Sequence, residues 1–241
     1  MHQSESELGD AAAPWSHTPL RVAKDGWAVV DNVIEAALLD RVIADVSVAQ
    51  MRAGLRNLLD ASPAARELAS HPGVRAIPER LLGRECFVTR AILFDKTADA
   101  NWKVPWHQDT TIAVAERLDV PGFGPWSVKD GITHVQPPAD TLARMVTVRV
   151  HLDDCGRENG PVRVLPRSHR SGVLSREEIE RLRAVTKDEI AVVARGGLLV
   201  FVPLLLHASS PAERPEHRRV AHFEFAADEL PGGLRWQLRH R

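Results

Sequence analysis

The sequence predicts a mainly β protein with flanking helices, in which a double-stranded β-helix (a cupin-like jelly roll) packs against an N-terminal helical segment. Three observations lead to this fold class. Apolar residues recur at helical spacing in the first third of the chain, and short runs of β-branched and aromatic residues follow after Gly83. The 241 residues contain no long internal linker, which suits one sizeable domain, since β-sandwiches and barrels often reach this length undivided.

The helical segment is predicted at about 34–82, after a short strand at 27–33. Its first helix is indicated by apolar residues at helical spacing: Leu38, Leu39, Val42, Ile43 and Val46. Ser62 followed by Pro63 is typical of an N-cap with proline at the first helical position. Residues 74–82 predict a further short helix.

The β core is predicted at about 86–226 from six short runs that turn residues separate. These runs are Phe87–Phe94, Met145–Leu152, Pro161–Leu165, Ile190–Val193, Leu198–Val202 and Arg218–Phe225. A Gly- and Pro-rich segment at about 119–139 is predicted to be a lid-like loop, because loops of this length in compact domains are often functional. Residues 1–18 are polar and unpatterned and are predicted to be a flexible N-terminus, so that 19–241 form the domain.

Composition and charge argue against several classes of partner. The net charge of -1 argues against a nucleic-acid partner. No apolar run is long enough to span a bilayer, and the start of the chain lacks the apolar stretch of a signal peptide. Cys86 and Cys155 show neither metal-type spacing nor a disulfide framework. We expect a cytoplasmic protein with a small-molecule substrate and no nucleic-acid or membrane partner; no feature predicts its oligomeric state.

His107, Asp109 and His207 form the strongest functional pattern in the sequence. A histidine and a carboxylate two residues apart on a strand point to the same face, and a distant histidine can complete a three-point clamp on a metal ion. Two histidines and one carboxylate that leave the other positions open are the arrangement of non-haem Fe(II) oxygenases. Each piece alone is weak, because such triplets occur by chance and His207, which ends an apolar strand, could be a satisfied core residue. The combination favours a metal site.

The residues after His207 predict a carboxylate site beside the metal. Ser209 shares the face of His207. A polar turn then leads to Arg218, and a hairpin of this length would bring its strand back beside His207. A guanidinium can hold a carboxylate through two charge-assisted hydrogen bonds.

The chain resembles the phytanoyl-CoA dioxygenase-like family of Fe(II)/2-oxoglutarate-dependent oxygenases from about Asp25 to Phe225. The resemblance is carried by an ordered set of motifs: Phe94-Asp95-Lys96, Trp106-His107-Gln108-Asp109, Leu152-Asp153-Asp154 before Glu158-Asn159-Gly160-Pro161, Leu165-Pro166-Arg167-Ser168-His169, and His207 followed by Arg218. Each motif is unspecific alone, but their order is specific. One departure is Arg167, where the family often has glycine; this affects a turn and not the chemistry.

The resemblance implies that His107, Asp109 and His207 bind Fe(II), that Arg218 with Ser209 holds the far carboxylate of 2-oxoglutarate, and that O2 is consumed. It implies a dioxygenase that hydroxylates an unactivated C–H bond and releases succinate and CO2. Asp109 favours hydroxylation, because related halogenases lack this carboxylate and bind halide in its place. Three alternatives stay open: desaturation or ring chemistry by the same class of oxygenase, a cupin-type metal isomerase or lyase that does not use 2-oxoglutarate, and a catalytically inactive jelly-roll binding protein.

Strand parity decides between Arg218 and its neighbour Arg219. On the last strand Arg218 shares a face with polar residues, whereas Arg219 shares a face with Phe223 and Phe225. Hydrophobic patterning alone would turn the phenylalanines towards the pocket. A sheet with helices on its back, however, has an apolar outer face as well, so we interpret the polar face as the pocket and select Arg218.

The same interpretation gives further pocket candidates. Thr147, Arg149 and His151 alternate along one strand and would face the pocket. Thr147 is a third candidate for 2-oxoglutarate, and Arg149 would meet 2-oxoglutarate or an anionic substrate, since a buried arginine needs a partner. The remaining substrate candidates come from the motifs and the predicted lid: Lys96, Trp106, Gln108, Trp126 and His134.

Overall fold

The computed structural model describes residues 17–47 and 54–241. The helices are α1 (Thr18–Asp25), α2 (Ala36–Ser47), α3 (Leu58–Ala61), α4 (Pro63–Ser70), α5 (Pro72–Leu82), α6 (Ala139–Ala143) and α7 (Arg176–Val185). The strands are β1 (Trp27–Val30), β2 (Gly54–Leu55), β3 (Phe87–Lys96), β4 (Val104–His107), β5 (Ile112–Val114), β6 (Trp126–Lys129), β7 (Ile132–Val135), β8 (Met145–His151), β9 (Val162–Val164), β10 (Glu189–Ala191), β11 (Leu198–Phe201), β12 (His207–Ser209) and β13 (Arg218–Ala226).

The strands of the described residues form three antiparallel sheets. The largest has the order β1-β11-β8-β13-β3-β2, and the second has the order β10-β9-β12-β4. A third, small sheet has the order β5-β7-β6. Side chains from the first two sheets line a common cavity. The mainly β architecture with flanking helices is therefore as the sequence predicts.

Helices α2, α4 and α5 cover one face of the largest sheet. Their buried side chains, such as Leu39, Leu68 and Ile77, share a core with alternate residues of the strands. On β8 and β13 these alternate residues are Val146, Val148, Val150, Ala221, Phe223 and Phe225. Because strand side chains alternate, the polar residues between them face away from the helices, which is the arrangement that the parity argument requires.

The helical segment follows the predicted order, with shifted boundaries. Residues 1–16, most of the segment predicted to be flexible, lie outside the described residues. Thr18, which was assigned to that terminus, instead begins α1, where a proline follows in the first helical turn and fits its geometry. The predicted strand at 27–33 ends at Val30. None of the helices described here is long and apolar enough to cross a membrane.

The segment at about 119–139, predicted to be a loop, contains two strands. β6 and β7 pair antiparallel, and Lys129 lies opposite Ile132. Asp130 and Gly131 between them have φ values of 51° and 77°, as the two central residues of a type I′ turn require. This Asp-Gly pair is the sequence signal for the hairpin that the loop prediction overlooked.

Arg167 occupies a backbone conformation that favours glycine. Its φ is 69°, which is uncommon for any other residue. The guanidinium pairs with Asp25, with Nε at 3.1 Å from Oδ1, outside the cavity that the two sheets share. The departure from the family pattern at this position is therefore confined to a turn.

Ser62 caps α4 as predicted and also links α4 to α2. Its buried Oγ accepts a hydrogen bond from the Ala65 amide at 2.9 Å and donates one to Asp45 Oδ2 at 2.6 Å. We expect Ser62→Ala to lower the free energy of unfolding by about 1–2 kcal/mol, because it removes the cap and leaves the buried Ala65 amide without its partner. Equilibrium unfolding in urea measures this loss. In the control Ser47→Ala, at the exposed end of α2, the change should stay within about 0.5 kcal/mol; equal losses in both variants would contradict the role of Ser62.

Candidate metal centre

The pairing of β12 with β4 brings His107 and His207 together. The two residues are direct partners in the antiparallel register. Their ring centroids lie 4.2 Å apart. Two histidines a hundred positions apart in the sequence thus become neighbours through backbone pairing alone.

Asp109 completes the group from outside the strand. β4 ends at His107, so the shared strand face that predicted this pair is not what positions Asp109. Its backbone amide instead donates to the Pro203 carbonyl at 3.0 Å. The carboxylate lies between the rings, with Oδ1 at 3.7 Å from His107 Nε2 and Oδ2 at 3.8 Å from His207 Nε2. The three candidate ligand atoms all lie within 4.8 Å of one another.

Both histidines present the same nitrogen to the carboxylate. His107 Nδ1 donates to the Pro105 carbonyl at 2.8 Å, and His207 Nδ1 donates to the Leu205 carbonyl at 2.9 Å. These bonds fix the tautomers and leave each Nε2 with a free lone pair, which is how metal-binding histidines are held. In the described part of the chain, His207 Nε2 and Asp109 Oδ2 are buried without a hydrogen-bond partner. Buried polar atoms without partners are rare, and a divalent cation between these donors would satisfy them.

The protonation states suit a cation at this position. Burial raises the pKa of Asp109, but the charges of His207, His222, His107 and Arg149 outweigh it and hold that pKa well below its usual range. Burial lowers the pKa of His207 to about 3. At neutral pH the site therefore offers the Asp109 carboxylate and a neutral His207 imidazole, the forms in which these side chains bind metal.

A second group of candidate ligands shares Asp109 with His222 and Glu224, and its donor atoms also lie within 4.8 Å of one another. Glu224 is buried and pairs with Arg90, so its charge is already balanced. His222 Nε2 lies 3.2 Å from the Glu224 carboxylate, and His222 Nδ1 accepts a hydrogen bond from Arg149. Because these side chains have protein partners, the group of His107, Asp109 and His207 fits a divalent cation better.

Gln108 holds the Asp109 segment in place. Its side-chain amide donates to the carbonyls of Gly172 at 2.8 Å and Leu204 at 2.6 Å, and its oxygen accepts from the Leu174 amide at 2.8 Å. Both polar groups of this side chain are therefore used by the backbone. Gln108 lines the cavity as predicted, and its hydrogen bonds also give it a positioning role.

One end of the cavity is basic and contains Arg218. The cavity has a volume of about 340 Å³. Arg218 is 6% exposed, donates to the Gly160 carbonyl and lies opposite Lys96 in the β13–β3 register. Lys96 Nζ donates to Ser209 Oγ at 3.1 Å and to the Ser210 carbonyl at 2.7 Å. Burial lowers the pKa of Lys96 to about 8, and Arg218 contributes to the shift.

Arg219 is not part of this end of the cavity. Its guanidinium forms two hydrogen bonds to the Asp153 carboxylate, at 2.8 and 2.6 Å. Of these two arginines, Arg218 lines the cavity and Arg219 does not. The parity argument therefore chose the residue that faces the pocket.

Arg149 lies in the middle of the sheet face. Its Nε donates to His222 Nδ1 at 3.0 Å, and its guanidinium lies over the rings of Phe201 and Phe94, at 5.0 and 5.8 Å from their centroids. Burial lowers the pKa of Arg149 to about 10. It lines the cavity as predicted, but protein groups already surround it.

The opposite end of the cavity holds charged residues that the sequence analysis did not select. Arg56, Arg90, Lys129 and Glu224 all line it. Glu224 could have been found, because it shares the strand face of Arg218. The other three come from separate elements, and no local pattern marks them.

Six predicted residues do not line this cavity. Lys96 is fully buried behind Ser209, and the other five lie elsewhere. Thr147 is fully buried and pairs in register with Glu224, six residues along β13 from Arg218, so the structure does not bring it to the Arg218 end. His151 is buried behind the lining. Trp106 lies outside the cavity beneath Arg163 and Arg183. The other two belong to the hairpin: Trp126 packs in a separate apolar cluster, and His134 lines a neighbouring cavity.

Comparisons with known proteins agree with this architecture. The family model of phytanoyl-CoA dioxygenase (PhyH) matches residues 22–220, which are 199 (220 − 22 + 1) of the 241 residues. L-proline trans-4-hydroxylase of Streptomyces griseoviridis is 24% identical over 250 residues, covering 87% of this chain and 85% of the relative.

Solved structures share the fold at low identity. EctD from S. alaskensis with 2-oxoglutarate and 5-hydroxyectoine gives a TM-score of 0.67 at 20% identity, covering 92% of this chain and 79% of that chain. The α-ketoglutarate-dependent epimerase SnoN from nogalamycin biosynthesis gives a TM-score of 0.66 at 19% identity, covering 93% of this chain and 92% of that chain. The predicted jelly-roll fold is confirmed.

The family match covers most of the chain and includes the histidines and the carboxylate of the candidate centre. It confirms the predicted enzyme class, with Fe(II), 2-oxoglutarate and O2 as its requirements. The chain belongs to the phytanoyl-CoA dioxygenase family of Fe(II)- and 2-oxoglutarate-dependent oxygenases.

Proposed function

We propose that this enzyme hydroxylates an unactivated C–H bond of a small anionic molecule and releases succinate and CO2, with His107, Asp109 and His207 as the Fe(II) ligands. The observation that carries this proposal is the convergence of His107 Nε2, His207 Nε2 and the Asp109 carboxylate on one point, with two of these buried groups lacking a partner among the described residues. Three ligands on one side leave positions for 2-oxoglutarate and O2. When bound, the iron and 2-oxoglutarate supply the oxidative chemistry, and the protein supplies binding and orientation.

The chain's own contribution begins with the far carboxylate of 2-oxoglutarate. Arg218 and Lys96 are adjacent in register, and Ser209 lies within hydrogen-bond distance of Lys96. Two cations and a hydroxyl suit a carboxylate, and a buried guanidinium forms strong charge-assisted bonds to it. Lys96, which the sequence suggested as a substrate residue, is fully buried and outside the lining, so we propose that Arg218 and Ser209 hold the co-substrate and that Lys96 positions Ser209 through its hydrogen bond. Thr147 has no part in this assignment.

The β6–β7 hairpin is proposed to act as the lid of the pocket. Its end supplies Lys129 to the cavity lining, and Asp130 in the turn pairs with Arg56 across the opening. A hairpin is a stiffer cover than the loop that the composition suggested. Closing such a cover excludes water from the reacting groups.

Formation of succinate tests the proposed function directly. The protein loaded with Fe(II) without oxygen and then supplied with 2-oxoglutarate and O2 should form succinate slowly even without substrate, and metal-free protein should form none. Mass spectrometry of the products measures this reaction. Absence of succinate from the loaded protein, together with no binding of 2-oxoglutarate, would favour the isomerase, lyase or inactive alternatives.

Replacement of Asp109 tests the metal ligands. Asp109→Ala should lower Fe(II) affinity by at least about tenfold, because loss of a residue that only hydrogen-bonds to a metal ligand already has an effect of this size. It should also abolish succinate formation. Anaerobic Fe(II) titration and product analysis measure the two effects. Asp99→Ala, at an exposed position, is the control and should behave as the wild type. Hydroxylation retained in Asp109→Ala would overturn its role as a ligand.

The pair Arg218 and Arg219 offers a matched test of the co-substrate anchor. Arg218→Met should raise the 2-oxoglutarate concentration for half-maximal succinate formation by roughly 30- to 100-fold, because charge-assisted hydrogen bonds to a buried carboxylate are lost. Arg219→Met breaks the Asp153 pair and should leave that concentration unchanged. Steady-state succinate formation against 2-oxoglutarate concentration distinguishes them. Equal effects in the two variants would contradict the assignment of Arg218.

A further inference from the structure

A second basic group lies at the end of the cavity opposite Arg218. We call Arg56, Arg90 and Lys129 the distal basic cluster. Arg56 follows β2, Arg90 lies on β3 and Lys129 ends β6, and all three line the cavity that contains the candidate metal centre. Cations from three separate elements converge on one space.

The charge of this cluster is incompletely balanced. Within residues 17–47 and 54–241, Arg90 pairs with Glu224 and Arg56 pairs with Asp130. Lys129 has a hydroxyl as its hydrogen-bond partner, Thr111 Oγ1 at 3.4 Å. Apart from Asp109, which belongs to the candidate metal centre, three cations against two carboxylates leave one positive charge in excess. Arg90 Nε is also buried with no acceptor in the described structure.

The three cations repel one another in this partly desolvated space. Burial lowers the pKa of Lys129, the charges of Arg90 and Arg56 lower it further, and the charges of Asp109 and Glu224 offset part of the shift. Lone cations in a low-dielectric setting are costly unless they are paired. An anion between them would relieve the repulsion and supply the missing acceptors.

The 2-oxoglutarate carboxylate held at the Arg218 end cannot supply that anion. Arg90 and Lys96 are six residues apart on β3, and their partners Glu224 and Arg218 are six residues apart on β13. Six residues of a strand span about 20 Å. A five-carbon diacid is far shorter than this separation, so the carboxylate that Arg218 holds does not reach the distal basic cluster. The Asp109 carboxylate and that of Glu224, the partner of Arg90, have oxygen atoms within 4.8 Å of one another, which places the cluster beside the metal centre.

We infer that the distal basic cluster binds a single negatively charged group of the substrate, such as a carboxylate, and so holds the oxidised carbon beside the metal centre. This inference rests on the proposed function. Ile92, two residues from Arg90 on the same strand face, lines the cavity, and so does Thr111, the partner of Lys129. The substrate class is therefore a small molecule with one anionic group. The distal basic cluster, rather than Arg149, recognises its charge.

Binding of sulfate, a probe that needs only the positive charge, tests this inference. The protein loaded with Fe(II) and saturating 2-oxoglutarate without oxygen keeps the Arg218 end occupied. Calorimetric titration with sulfate at constant ionic strength should give saturable binding to the wild type. The double variant R56M/K129M should bind sulfate about tenfold more weakly or worse, because two charged partners are lost.

Two control variants make the result decisive. R56K/K129R keeps both charges and should retain the wild-type affinity, which separates loss of charge from loss of folding. Lys187→Met, at an exposed position outside the lining, should bind sulfate as the wild type does. Equal sulfate affinity of the wild type and R56M/K129M, or no binding to the wild type, would overturn the distal site. Succinate formation by the wild type is measured separately, so failure of the anion site and failure of the proposed function give different results.

Discussion

The register between β12 and β4 is the constraint on which the candidate centre depends. It sets His207 directly opposite His107, and both Nδ1 atoms donate to carbonyls two residues earlier in the chain. A slip of one residue would turn His207 to the other face of its strand, so the metal site exists only in this pairing. The hydrogen bonds of Gln108 and the Asp109 amide then bring the carboxylate to the same point, which makes the segment after β4 as important as the strands.

The inner face of the largest sheet is an unusual place for so much charge. Its outer face packs under helices as an ordinary apolar core, whereas its inner face presents Arg90, Arg149, Arg218, His222 and Glu224. Burying charges is costly unless they are paired. The pairs of Glu224 with Arg90 and His222, and of Arg149 with His222, offset part of this cost. The charge that these pairs leave unbalanced is positive. Anionic ligands therefore gain most by binding at this face of the sheet.

Strand parity and motif order could be read from the sequence because both are local. Parity predicted Arg218 rather than Arg219 as the pocket residue. In the structure Arg218 lines the cavity, and Arg219 pairs with Asp153. Parity predicts which face of the sheet a side chain lies on, but not its position along the strand. Thr147 shares the face of Arg218 but pairs with Glu224, at the other end of the cavity, so parity alone could not separate the two. Residues that meet only through long-range pairing carry no such signal. Lys129 reaches the cavity because an Asp-Gly turn forms a hairpin in a segment whose composition suggested a loop.

The two basic ends of the cavity give a physical account of how two anions are sorted around one metal. In the proposed function, Arg218 offers its positive charge to the far carboxylate of a diacid whose other end the metal centre holds, and the charge of the buried Lys96 lies behind Ser209. The distal basic cluster offers one positive charge in excess, after Glu224 and Asp130 are counted. Arg218 is buried, whereas the Arg56 side chain of the distal basic cluster is 42% exposed. Because charges interact more strongly where solvent is excluded, a carboxylate gains more at the Arg218 end, which favours 2-oxoglutarate there and leaves the other side of the metal centre for the proposed substrate.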